Sequence, residues 1–229
     1  MEEKEKSDGL KEVTNEVARE LIGWENNKLF LTLNHLTTRP GQIVTSYCKG
    51  ETGKYLSPVV YFFAITGLNV TIYSVSGFLD LLITNPIASK LGIDTSSTSP
   101  ELGNALRFLF GEIGQKTVLL PIALLLTWLF YRKYNRSFKE NSWFALYIAG
   151  HATLLATPTI LYWYITKDIG LIPAMRQTIE LTYWIWASKQ FYNLSISRAI
   201  FLRISMFISY SLFIGISVFL VARLILVLY

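Results

Sequence analysis

Residues 56–75, LSPVVYFFAITGLNVTIYSV, run for twenty positions without one charged side chain. A helix of that length spans about 30 Å, the thickness of a bilayer's hydrocarbon core. Four further stretches invite the same reading. Residues 116–131 are strongly apolar around Pro121, whose freed carbonyl neighbouring helices can satisfy. Residues 142–165 carry no formal charge when His151 is neutral, and residues 204–229 carry Arg223 near their far end. Residues 169–191 hold Arg176 and Glu180, four positions apart, where they can meet on one helix face and lower the cost of insertion. A long interfacial helix is the alternative for that fourth stretch. Composition agrees with a membrane protein: 52% of residues are hydrophobic and 16% charged, below the roughly 25% charged of soluble domains. So many large apolar side chains exclude a disordered chain. A single cysteine, Cys48, excludes a disulfide scaffold.

The expected fold class is all-α: a polytopic transmembrane helical bundle of about five spans (56–75, 116–131, 142–165, 169–191 and 204–229) with an N-terminal amphipathic cytoplasmic helix. Residues 1–54 form the cytoplasmic or interfacial segment and 55–229 the membrane domain. The opening residues are acidic and polar, so no cleavable leader is expected. Basic and non-basic connections alternate. Lys28, Arg39, Lys49 and Lys54 precede the first span, Arg132, Lys133, Arg136 and Lys139 follow the second, and Lys189, Arg198 and Arg203 follow the fourth. The connections between these are acidic or neutral. Basic residues favour the cytoplasmic side, which puts the N-terminus inside and the C-terminus outside. The same clusters meet anionic headgroups, so the net charge of +5 calls for no nucleic acid.

Before the first span, Leu10, Val13, Val17, Leu21 and Trp24, then Leu29, Leu33 and Leu36, recur at helical spacing. The polar face of the first part is acidic (Glu12, Glu16, Glu20), so packing on the protein's own cytoplasmic face or on a partner competes with lying on lipid. A second amphipathic stretch follows Pro40, and a glycine-flanked turn from Lys49 to Lys54 feeds the first span. Residues 76–114 form a long outer loop.

Arg39-Pro40-Gly41, the Lys49-Gly50 to Lys54 turn and Tyr55-Leu56-Ser57-Pro58 stand in an order that resembles the uncharacterised bacterial membrane family called domain of unknown function 3667. The Leu-Pro of the second span at Pro121, the basic turn with Glu140, and the Tyr-x-x-Ser connection at Tyr192 and Ser195 are similar to that family too. The resemblance implies a location in the bacterial inner membrane and no known activity. Many members carry an N-terminal zinc ribbon, which a chain with one cysteine cannot build. The family's Glu-His is Glu140-Asn141 here, and a histidine of its third span is replaced near Tyr147.

His151 sits mid-span. It reads as a hydrogen-bonding residue between helices or as a ligand or proton site. Arg176 and Glu180 read as a neutral structural pair or as an anion or proton site, with or without His151. Tyr162, Trp163, Tyr164, Trp184 and Trp186 read as an aromatic belt. His35 and His151 are the only histidines, so no metal site and no cofactor are expected. There is no GxSxG, HExxH or P-loop, and hence no catalytic residue to name. The leading expectation is a non-enzymatic membrane component that binds lipids, a protein partner or a second copy. The alternatives are a small-molecule or ion transporter or channel, and a lipid-modifying membrane enzyme.

Overall fold

The computed structural model describes residues 28–77, 120–166 and 170–228. The amphipathic run before Lys28, nearly all of the long outer loop, the first four positions of the second span and the Arg223 side chain lie outside the described residues. All regular structure among the described residues is helical: α1 (Lys28–Thr38), α2 (Pro40–Cys48), α3 (Pro58–Ser76), α4 (Leu120–Tyr131), a 3₁₀ turn (Arg132–Tyr134), α5 (Phe138–Ala156), α6 (Pro158–Thr166), α7 (Ile172–Phe191) and α8 (Ile196–Leu228).

Local chemistry sets the helix ends. Ser57 caps α3 by accepting a hydrogen bond from the Val60 amide at 3.2 Å, and Pro58 takes the first turn, where no amide is needed. Gly77, left-handed at φ 74°, closes the same helix. Ser137 and Glu140 form a capping box at the start of α5. Asn135, at φ 55°, turns the chain between α4 and α5. Pro158 withholds an amide from the Leu154 carbonyl, which accepts from the Thr157 amide at 3.1 Å instead. α5 and α6 thus continue as one 29-residue rod, Phe138–Thr166.

Among the described residues, three helices are long and apolar enough to cross a membrane: Pro58–Ser76, Phe138–Thr166 and Ile196–Phe213. α4 has 12 described residues, which is short of a crossing. α7 has the length at 20 residues, but Arg176, Glu180 and Lys189 make it less apolar.

α5 is the central helix. α3 runs parallel to it, since Tyr61 meets His151 and, further along, Asn69 meets Thr157. α7 runs antiparallel, with Tyr183 beside His151 and Phe191 stacked on Phe144. α8 turns back along α7, placing Arg203 on Trp184, and meets α4 where Thr127 approaches Met206. Of the helix expected over 10–37, residues 28–37 fall within the described part, as α1, which with α2 packs on the protein's own bundle. Leu36, Ile43 and Val44 share one core with Tyr61, Phe144, Tyr147, Tyr183 and Phe191. A smaller cluster of Tyr73, Ile160, Trp163 and Ile172 lies toward the other end of the bundle.

Candidate functional site

The α1–α2 hairpin enters the bundle beside His151. Thr37, at the end of α1, reaches a residue thirteen positions into α5, about 20 Å along its axis. The Thr37 hydroxyl donates to the Leu33 carbonyl at 2.8 Å, so toward His151 Nε2, 3.0 Å away, it acts as acceptor. Nε2 therefore carries the hydrogen, and Nδ1 accepts from the Tyr61 hydroxyl at 2.6 Å. The imidazole is neutral, buried at 1% exposure, and engaged at both nitrogens. The Tyr183 ring packs on it at 5.2 Å.

Further polar contacts fix the same hairpin. The Tyr183 hydroxyl donates to the Leu36 carbonyl at 2.9 Å, which satisfies one of the orphan acceptors at the end of α1. The Leu56 amide donates to the buried Thr32 hydroxyl at 3.0 Å, and the Tyr147 hydroxyl donates to the Leu56 carbonyl. The Tyr55 hydroxyl and His35 Nδ1 stand 3.0 Å apart. The Gly41 amide donates to Gln190 Oε1 at 3.2 Å. Backbone approach is closest here: a β-carbon on Gly41 would lie 2.5 Å from Gln190 Cβ and 2.7 Å from the Phe191 nitrogen. The exposed Arg39 precedes Pro40 at the hairpin tip.

Arg176 and Glu180 form an ion pair at 3.7 Å. The Arg176 guanidinium lies 5.3 Å from the centre of the Tyr73 ring. Tyr73 is twelve residues along α3 from Tyr61, about 18 Å, so Arg176 and His151 contact opposite ends of that helix. Between these levels the Asn69 amide donates to Thr157 Oγ1 at 2.6 Å.

The remaining motif residues organise the edge rich in basic side chains. Glu140 accepts from the Ser137 amide at 2.8 Å and pairs with Arg136 at 3.2 Å. The Tyr192 hydroxyl donates to Asn141 Oδ1 at 2.6 Å, and its ring stacks on Tyr131 at 4.2 Å. The exposed Ser195 offers its carbonyl to the Ala199 amide. Gly50, at φ 96°, makes the left-handed turn after α2. Pro121 is the second residue of the described α4 and Pro58 the first of α3. Trp184, one of the belt candidates, is buried between Phe144 and Arg203.

Cys48 ends α2. Burial, with a smaller contribution from Glu140, pushes its thiol up to about 11 against the opposing pull of Arg136 and Lys139. Only the thiolate reacts, so maleimide labelling at pH 7.5 is expected to be about a hundredfold slower than for a free cysteine. Its rate should rise about tenfold per pH unit between pH 7.5 and 10, as the thiolate fraction does. Cys48 is the sole cysteine, so intact-mass measurement reads the label unambiguously.

Signals in the sequence point to His151 and to the Arg176–Glu180 pair, but not to Thr37, Tyr61, Tyr183 or Gln190, which complete the hairpin's seat. Among the described residues, no three of histidine, cysteine, aspartate and glutamate converge on a point that could hold a metal ion. The chemistry on view is retention: a neutral histidine and two tyrosines hold the hairpin against three bundle helices. No curated protein and no solved structure matches the chain. Residues 26–69, which take in α1, α2 and the first part of α3, match the model of the family described as Protein of unknown function (DUF3667).

Proposed function

We propose that the protein is a non-enzymatic integral component of the bacterial inner membrane. It crosses five times, with the N-terminus cytoplasmic, and holds a helical hairpin that enters the bundle from the cytoplasmic side as a fixed platform for a lipid or protein partner. The observation that carries this reading is the engagement of His151 at both nitrogens by Thr37 and Tyr61. A proton carrier or general base needs a lone pair open to substrate, whereas here the ring joins the hairpin to α3 and α5. The acidic amphipathic run 10–27 leads directly into α1, so a fixed hairpin fixes where that run emerges. α3 and α5 point one way, α7 points the other and α8 points back again, which suits an odd number of crossings with α4 and α7 as the second and fourth.

Transport is the second reading. It is favoured by Asn69 Oδ1 and Thr66 Oγ1, acceptors inside a span that are buried without a hydrogen-bond partner. Proteoliposome flux that depends on Glu180 would favour it over the platform.

Two measurements test the platform reading. Membranes washed with alkaline carbonate should retain the chain, and reporters fused to the two ends should face opposite compartments. Release by carbonate, or both ends on one side, overturns it.

A further inference from the structure

Arg203 is a cation set in an apolar stripe. Ile196, Ile200 and Phe207 flank it at helical spacing on α8, and all three are exposed. Neighbouring Phe201 and Ile204 are exposed as well. Its guanidinium lies 4.3 Å from the centre of the Trp184 ring, which holds the planar group from behind. Its Nε is buried without a hydrogen-bond partner, and no carboxylate stands within ion-pair distance among the described residues. The ionisable groups that face it are Tyr131 and Glu180. Glu180 is already paired with Arg176.

The location narrows the missing anion. Tyr131 is the last residue of α4, and the exposed Arg132 and Lys133 follow it directly. Lys189, near the end of α7, and Arg198, in the first turn of α8, are exposed as well. Arg203 therefore lies near the basic edge of the bundle, one to two turns inside it. Leu125 and Leu129 add exposed apolar surface on α4, the helix that meets α8 at Thr127. A ligand that suits such a place carries a phosphate for the guanidinium fork and acyl chains for the stripe. We propose that Arg203, backed by Trp184, binds the phosphate of an anionic phospholipid whose acyl chains lie against the exposed face of α4 and α8. This rests on the reading that the bundle crosses a membrane.

The test uses the full-length protein in detergent, with dioleoylphosphatidylglycerol, with dioleoylglycerol (the same chains without phosphate), and with inorganic phosphate. Native mass spectrometry and melting temperature are the readouts. The phosphatidylglycerol should be retained and should raise the melting temperature, and dioleoylglycerol should do neither. Arg203→Gln should weaken retention about tenfold or more, the scale of a lost charge-assisted contact, whereas Arg198→Gln should keep it within about twofold, as an exposed charge does. Arg203→Lys, which keeps the charge without the fork, should be intermediate. Should Arg203→Gln fail to fold, the comparison of the two lipids on the unaltered protein still decides. Equal retention of both lipids, or undiminished retention by Arg203→Gln, overturns the proposal. Stabilisation by inorganic phosphate alone identifies a free anion as the ligand and overturns the lipid assignment. A chain that resists carbonate extraction yet shows no phosphatidylglycerol preference loses this site and keeps its membrane assignment; one that carbonate releases loses both.

Discussion

Gly41→Ala is expected to loosen the hairpin and to raise Cys48 labelling at pH 7.5 about tenfold or more. The alanine methyl would meet Gln190 Cβ at 2.5 Å and the Gln190 carbonyl carbon and Phe191 nitrogen at 2.7 Å. Two of these three atoms are backbone in α7, so no rotamer change relieves the clash. Either α2 lifts from α7 or α7 shifts within the bundle. Overpacking of this kind costs about 1–3 kcal/mol, and 1.4 kcal/mol on local opening is a factor of ten in the open population. Lifting α2 also stretches the Gly41 amide bond to Gln190 and uncovers Cys48 seven residues later. Gly67→Ala is the matched control. A β-carbon at Gly67 meets nothing within 4 Å, and alanine in a helix interior is favoured over glycine by about 1 kcal/mol. The two variants should therefore move the melting temperature in opposite directions or, at the least, separate by several degrees. Equal labelling of Cys48 in Gly41→Ala and the unaltered chain would show that the hairpin does not depend on this contact.

The hairpin is also where the reach of sequence reasoning ends. Long uncharged runs make the helices at 58–76 and 138–166 legible, because apolar length is a local property. The Arg176–Glu180 contact is legible for the same reason: four positions on a helix bring two side chains to one face. Amphipathicity places Leu29, Leu33 and Leu36 on one stripe but does not say what covers it. Leu36 has its carbonyl bonded by Tyr183, 147 positions away, and Thr37 reaches His151 across 114. No spacing rule encodes such pairs. The roles of Tyr61 and Tyr183 are not legible in the sequence, because a tyrosine in an apolar run has two common uses, interfacial anchoring and buried hydrogen bonding, and only its neighbours distinguish them. Trp184 shows the same ambiguity. Its place in the sequence suits an aromatic belt, while its ring is buried against Phe144 and under Arg203.

His151→Ala is expected to destabilise the protein by about 2–4 kcal/mol, and most of that loss should come from packing rather than from hydrogen bonds. The ring is almost fully buried and touches Tyr61 and Tyr183, so its removal leaves a cavity, a change that costs several kcal/mol for large side chains in a core. The hydrogen bonds contribute less. Those between helices in a membrane average about 0.6 kcal/mol and reach about 1.7. Tyr61→Phe removes one bond and little volume, so it should cost about 1 kcal/mol, with the Nδ1 acceptor left unmet as the larger share of that cost. A double-mutant cycle separates the two contributions. Tyr61→Phe and His151→Ala, measured alone and together by denaturation in mixed micelles, should show a coupling of about 0.5–1.5 kcal/mol. Thr37→Val cycled against His151→Ala should show a smaller coupling, since the Thr37 hydroxyl keeps its bond to the Leu33 carbonyl when the ring is gone. Zero coupling in both cycles, with full loss in His151→Ala, would leave His151 as filler and remove the latch on which the platform reading stands. A coupling in the first cycle accompanied by faster Cys48 labelling in Tyr61→Phe would tie the histidine to the hairpin, since Cys48 ends α2.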